Sequence, residues 1–293
     1  MKTKDLFPVL ASCLFLLGFP SCTKEIDFDY RTVEPVLMIE GRVTNEGCEV
    51  LITRTRNMEE SVKSQCIEGA EVVITSDGIE ERLPFDPVTR SYRSPFCGTA
   101  GHTYHLDIVF EGCHYEATST MPAPATVKSA EFIWQPVMKE RLLAYEVWAF
   151  DPEPDVRNYY WYRMDRRTAT TREDISAYIS ATTDAYRWNV FDDRGCPPGL
   201  IYRDVMCMSE RAAEENEKDN WKSILYEGDT ITFTLMTIDR PTYDFFRSLR
   251  SGQSGGANPT GNINGGECLG YFTATSVTHA DTICFSYSNI RQN

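Results

Sequence analysis

The chain has 293 residues, 42% hydrophobic, 12% aromatic and 25% charged, with a formal charge of -14 at pH 7. That length holds two ordinary domains with real cores. The acidic balance and the lack of a basic patch argue against nucleic acid or anionic lipid as a partner.

Lys2 and Lys4 precede an apolar run from Leu6 to Gly18. The run is too short to persist as a membrane-spanning helix and has the charge layout of an export signal. The small Ser21 stands before Cys22 and polar sequence follows, so residues 1–21 read as a signal peptide and Cys22 as the lipidated first residue of the mature chain. Phe19 and Pro20 make this a loose form of the lipoprotein cleavage pattern; ordinary cleavage, with Cys22 free or in a disulfide, is the alternative. A multiply acylated cysteine holds a protein on a membrane stably, where one chain would not. Losing Lys2, Lys4 and Asp5 with the signal moves the formal charge from -14 to -15.

Of ten cysteines, Cys13 leaves with the signal and Cys22 carries the lipid. The remaining eight, Cys48, Cys66, Cys97, Cys113, Cys196, Cys207, Cys268 and Cys284, are even in number, and in an exported protein they are expected to pair as disulfides. Cys196 with Cys207, around Pro197-Pro198-Gly199, is the first expected pair; Cys66 with Cys97 is the second. No CxxC spacing occurs among them, so a zinc framework is the weaker account.

Residues 22–34 are polar without a period and read as a tether. The stretches PVLMIEGRVT, CEVLITRT, GAEVVITSDG, EERLPFD, TYHLDIVFEG and HYEATSTM then read as short strands. In the first, Val36, Met38, Glu40 and Arg42 alternate with Leu37, Ile39, Gly41 and Val43, and Asp77-Gly78 and Glu111-Gly112 sit where hairpins reverse. Strands at this spacing with no helical period between them predict a two-layer antiparallel β-sandwich over 35–122, of transthyretin-like or immunoglobulin-like type, because a lone sheet would leave its oily face in water. Met121-Pro122-Ala123-Pro124 makes a stiff linker.

A second β-rich domain with one or two short helices is expected over 126–293. KSAEFIWQP, LLAYEVWAF and NYYWYRMDR read as aromatic-rich strands, interrupted by the Asp151–Asp155 proline loop. DISAYISATTDAY fits a short helix or a strand, and the charged run 209–219 an exposed helical turn or mobile insertion. In GDTITFTLMTID, Ile231, Phe233 and Leu235 alternate with Thr230, Thr232 and Thr234 as a half-buried strand. RPTYDFFRSLRSG is a predicted helix capped by Asp239, with Pro241 in its first turn, Tyr243, Phe246 and Leu249 on one side and Gly252 at its end. A Gly/Asn-rich loop leads into the strands CLGYFTATSVT and TICFSYS.

Those segments taken together, VLMIEGRVT, GAEVVIT, GHTYHLDIVFEGCHYEATSTMPAP, NYYWYRMD, the YDFF helix and NPTGNINGGECLGYFTATSV, resemble the Bacteroidetes lipoprotein family labelled domain of unknown function 4249 across the mature chain. The most specific parts are Asn258, Pro259, Asn262, Ile263, Gly265, Gly270 and Phe272 in the last loop and strand, and Gly41, Gly69, Ala70, Gly101, Tyr104 and Tyr115 in the first domain. The resemblance implies an outer-membrane lipoprotein, often encoded beside TonB-dependent receptors, whose first domain is similar to carboxypeptidase-regulatory or transthyretin-like sandwiches. It carries no catalytic residues over. Lys24-Glu25, with Asp27 and Asp29, resembles the signal that sends some such lipoproteins to the cell surface; a charged linker is the plain alternative. The loose cleavage site and the eight cysteines depart from the family pattern.

For chemistry, His102, His105 and His114 lie close in sequence, but 102 and 105 point to opposite faces of a strand, and no metal site is expected from them. Asp151, Glu153, Asp155, Asp192 and Asp193 fit solvated loop acids better than calcium ligands. No GxSxG occurs and no nucleophile with its base can be assembled, so no enzyme and no cofactor is expected. Trp134, Trp148 and Tyr159 to Tyr162 offer stacking surfaces that core packing mostly uses. The loop with Asn258, Pro259, Asn262 and Asn264 is the candidate partner-binding segment, with backbone geometry as the competing reason for its glycines. The expected role is a non-enzymatic accessory partner of a TonB-dependent nutrient transporter; an adhesin-like or structural envelope lipoprotein is the alternative.

Overall fold

The computed structural model describes residues 35–55, 65–167, 176–178, 189–210, 225–252 and 260–292. The signal-like segment, Cys22, the tether, the run 211–224 and Asn258 and Pro259 lie outside them.

The first eight strands are β1 (Leu37–Thr44), β2 (Gly47–Arg54), β3 (Glu71–Ser76), β4 (Ile79–Arg82), β5 (Phe85–Asp86), β6 (Ser91–Ser94), β7 (Thr103–Phe110) and β8 (Cys113–Thr120). Their period-two pattern decides which face is buried: Leu37, Ile39 and Val43 point inward on β1, and Cys48, Val50 and Ile52 on β2. Both predicted reversals form with two consecutive left-handed residues, Asp77 and Gly78 at φ 51° and 78°, Glu111 and Gly112 at 50° and 77°. That backbone matches the twist of the strands it joins.

The second half supplies β9 (Thr126–Val137), β10 (Glu140–Phe150), β11 (Tyr159–Arg167), β12 (Ser176–Tyr178), β13 (Val190–Asp192), β14 (Leu200–Ser209) and β15 (Thr230–Ile238). Helix α1 (Arg240–Gly252), β16 (Asn264–Gly265), β17 (Cys268–His279), β18 (Ile283–Cys284), a 3-10 turn at Tyr287–Asn289 and β19 (Arg291–Gln292) complete it. The chain is mainly β, as its alternation predicts. Strands β6, β13, β14, β16 and β19 are additions to the sequence reading: all but β14 have four residues or fewer, and Arg203 and Asp204 break the apolar pattern of β14. Only Ser176–Tyr178 of DISAYISATTDAY is described, as a strand.

The strands form three sheets. A ten-stranded sheet runs β12-β11-β15-β17-β1-β2-β6-β5, with β13 on β11 and β18 on β15. A five-stranded sheet, β16-β8-β7-β3-β4, packs on one half of it, and a four-stranded sheet, β14-β10-β9-β19, on the other. The join is β1 against β17, parallel and in register from Leu37 opposite Cys268 to Thr44 opposite Thr275. Phe272 and Ala274 of β17 thereby enter the first core with Ile39, Val50 and Leu106. The Met121–Pro124 linker thus separates two hydrophobic cores, while one sheet serves both. Gly41 makes that packing possible, since a Cβ there would lie 2.9 Å from the Phe272 ring.

The first core is aliphatic apart from a few tyrosines and Phe272. The second is richer in rings: Phe132 meets Phe285 with centroids 5.1 Å apart, and Tyr162 stacks on Phe233 at 5.7 Å. A third cluster lies on the outer face of the ten-stranded sheet, where α1 lays Tyr243, Phe245 and Phe246 onto Trp161, Met236 and Tyr271.

Candidate functional site

Helix α1 starts where the sequence places it. Asp239 accepts the Thr242 backbone N–H through Oδ1 at 3.0 Å, and its Oδ2 accepts the Ser119 hydroxyl at 2.5 Å. Burial pushes its carboxyl above the usual range against the pull of these donors. The helix roofs only part of the sheet. In β11 the outward residues run Tyr159, Trp161, Arg163, Asp165; the first two lie in the apolar cluster under α1 and the last two beyond it. In β15, Met236 and Ile238 are under the helix, whereas Thr232 and Thr234 lie outside it. Met38 and Tyr271 belong to the covered half on β1 and β17; Arg42, Thr44 and His279 belong to the open half.

The open half is a cleft of about 730 Å³ crossing β11, β15, β17, β1, β2, β6 and β5. Its lining carries Arg42, Arg93 and Arg163 beside Glu46, Glu49, Asp86 and Asp165, with His279 between. The charges pair locally. Arg42 Nη2 donates to Glu49 Oε2 at 2.6 Å, Ser91 Oγ donates to Glu49 Oε1 at 2.9 Å, and Arg163 Nε lies 2.7 Å from Asp165 Oδ2. Burial alone would raise the Glu49 carboxyl, but Arg42, Ser91 and Arg93 outweigh it and hold the group below its ordinary value. The His279 ring bridges Glu46 Oε1, 2.6 Å from Nε2, and Thr234 Oγ1, 3.1 Å from Nδ1. At the rim, Asn45 takes the Val277 N–H at 2.7 Å and donates to its carbonyl at 3.0 Å, closing the β1–β2 turn onto β17.

This arrangement presents charged and hydrogen-bonding groups along an open sheet face. The nearest thiol, Cys48, points to the opposite face, where its Sγ lies 3.1 Å from the Phe96 carbonyl. Burial, with Glu81 and Cys97 nearby, pushes that thiol up to about 12, so it stays protonated at neutral pH and is a poor nucleophile.

The residues singled out from sequence fall elsewhere. Asn262 acts as a backbone substitute, donating from Nδ2 to the Phe272 carbonyl at 2.7 Å and accepting the Phe272 N–H at 2.9 Å. Asn264 is exposed in β16, opposite Glu116 of β8. Gly265, at φ 118°, sits so close to β8 that a Cβ would lie 2.0 Å from the His114 carbonyl, so backbone geometry accounts for this glycine. Cys22, Asn258 and Pro259 lie outside the described residues.

Neither expected disulfide pair is formed in this structure. Cys196 Sγ lies 3.9 Å from the Tyr202 carbonyl, and Cys207 is five residues further along β14, about 17 Å at strand rise. Cys66 bridges Thr53 at one end of β2, while Cys97 lies beside Cys48 at the other. The eight described cysteines carry free thiols in this structure.

The loop acids are engaged by protein donors. Asp151 Oδ1 accepts from Asn158 Nδ2 at 2.9 Å and from the Glu153 N–H at 3.0 Å; Asp193 accepts the Asn158 N–H at 2.8 Å. Asp192 binds Arg157, Arg194 and the Tyr243 hydroxyl, the last at 3.1 Å. The aromatic set is core: Trp134, Tyr160, Trp161 and Tyr162 are buried, Tyr159 packs on Tyr243 and Trp148 on Tyr202. The three histidines of the first sandwich keep separate partners, His102 with Asp77, His105 with Thr118 and His114 with Asp107. The cleft itself escaped the sequence reading because its residues come from seven strands whose order along the sheet is not local; only their outward phase was available, as for Arg42, Thr232 and Thr234.

A family model described as domain of unknown function (DUF4249) matches residues 23–281, a span that holds the first core, most of the second and the cleft. No curated protein matches the chain.

Proposed function

We propose, from the premise that this chain belongs to the family described as domain of unknown function (DUF4249), that it is a lipid-anchored outer-membrane protein serving as a non-enzymatic accessory partner of a TonB-dependent nutrient transporter. The observation that carries the binding role is the cleft on the open half of the ten-stranded sheet. Its ion pairs are partly exposed, with Arg42 and Glu49 side chains 33% and 30% accessible. Such pairs contribute about 0–1 kcal/mol each, so exchanging them for a partner's charges costs little. Trp161 lines the end of the cleft nearest α1 but is only 1% accessible, so the cleft exposes no broad aromatic platform among its described residues. That favours a polar peptide segment over a sugar ring as occupant.

The anchoring part of the reading rests on Cys22 and the signal-like segment before it. No helix among the described residues is long and apolar enough to cross a membrane. An affinity pull-down of the mature chain from intact membranes tests the assignment. Recovery of a TonB-dependent transporter is the expected result. Mass spectrometry of the processed protein is expected to find an acylated Cys22, and an unmodified amino terminus would remove the anchor from the account.

A further inference from the structure

The solvent face of the β7–β8 hairpin brings together side chains that are nine positions apart in sequence. On β7 the outward residues include His105, Asp107 and Val109; on β8 they include His114, Glu116 and Thr118. The register sets Asp107 opposite Glu116 and Val109 opposite His114, so His114 is diagonal to Asp107. Two carboxylates directly opposed on one face repel each other, an unfavourable choice for a bare sheet surface. His114 offsets it in part, with Nε2 3.0 Å from Asp107 Oδ1. One ligand atom from each of Asp107, His114 and Glu116 lies within 4.8 Å of the others. Asp107 and Glu116 border a depression of about 390 Å³, lined also by His105, Thr118 and Asn264. Asn264 arrives there because β16 adds to the free edge of β8.

We propose that Asp107, His114 and Glu116 bind one late first-row divalent cation of the zinc class, with a coordination position open toward the depression. His114 Nε2 and Asp107 Oδ1, 3.0 Å apart, need to separate only slightly to share an ion, since two ligands about 2.1 Å from it at a tetrahedral angle lie roughly 3.4 Å apart. Glu116 is exposed and reaches the same point by rotating its side chain. The imidazole selects against magnesium and calcium, which take oxygen ligands, and the two carboxylates neutralise the ion. Cys113 follows the other pleat of β8 with Tyr115, so thiolate is no part of the set. The ion converts a repelling carboxylate pair into a cross-strand clamp at the edge where β16 joins.

The test is a titration of the purified full chain, thiols kept reduced, with cobalt(II) followed by absorption and with zinc followed by calorimetry. One ion per chain is expected, with a cobalt spectrum lacking the thiolate charge-transfer band. His114→Ala and Glu116→Gln, both surface changes, are expected to weaken binding by more than about tenfold, as loss of a direct ligand should, while their melting curves without metal stay at the wild-type position. Equal affinity in wild type and both variants, a charge-transfer band showing that cysteines hold the cobalt, or no binding by the wild type would each overturn the assignment.

Discussion

On the outer face of the ten-stranded sheet, the half bearing Met38, Trp161, Met236 and Tyr271 is roofed by α1, whereas the half bearing Arg42, Arg163, Thr234 and His279 stands open. The same four strands run through both. Each changes its outward residues from apolar to polar where the helix stops: Trp161 gives way to Arg163 on β11, and Met236 to Thr234 on β15. Strand pairing is thus common to both halves, and the outward side chains alone decide whether the face is buried or presented. Burial of rings stabilises the covered half, while the open half carries charges that are cheap to re-pair.

Substitutions in the two halves should therefore differ in kind. The largest effect is expected from Phe246→Ala, which removes a ring 4.7 Å from Trp161 and 4.9 Å from Tyr271. Urea unfolding should show a loss of about 3–5 kcal/mol. A loss under about 1 kcal/mol would mean that α1 is not packed on the sheet as described.

Asp192 ties β13 to α1 through the Tyr243 hydroxyl. Burial would raise its carboxyl, but Arg157, Arg194 and Tyr243 bring it from 3.8 down to about 2. A lowered folded-state value stabilises the fold above the unfolded value, and that contribution is lost as pH falls from about 3.8 through about 2. Asp192→Asn should cost on the order of 1–2 kcal/mol at pH 7, allowing for screening at the exposed arginines, and the gap to wild type should narrow below pH 4. A gap independent of pH would refute the charge-based account.

Removing the helix cap with Asp239→Ala is expected to cost about 1 kcal/mol. Its pH dependence has the opposite sign. Burial raises the Asp239 carboxyl in the fold, so native Asp239 loses relative stability as pH rises from the unfolded value through the folded one. Asp239→Asn keeps an acceptor and carries no charge, and its stability curve should lack that decline. The smallest stability change is expected in the cleft, where Arg42→Ala should move unfolding by less than about 1 kcal/mol.

The parts of this architecture written in local sequence were readable from it. Period-two alternation in ITFTL and NYYWYRMD gave the inward faces of β15 and β11, two glycine turns gave the hairpins, and Asp239 with Pro241 gave the start of α1. What could not be read depends on pairing between distant residues. Parallel pairing of β1 with β17 joins positions some 230 apart, and nothing in VLMIEGRV says which strand it meets. Cysteine pairing is of the same kind, since short spacing between 196 and 207 says nothing of a strand that carries one away from the other. Asp107, Glu116 and His114 needed the β7–β8 register before they could be seen as a group.

The most direct test of the open half as the binding surface reverses its charge. The double variant Arg42→Glu, Arg163→Glu should fold with a melting temperature close to wild type, yet recover far less transporter than wild type in pull-downs from intact membranes. Undiminished recovery by this folded variant would contradict a partner seated in the cleft.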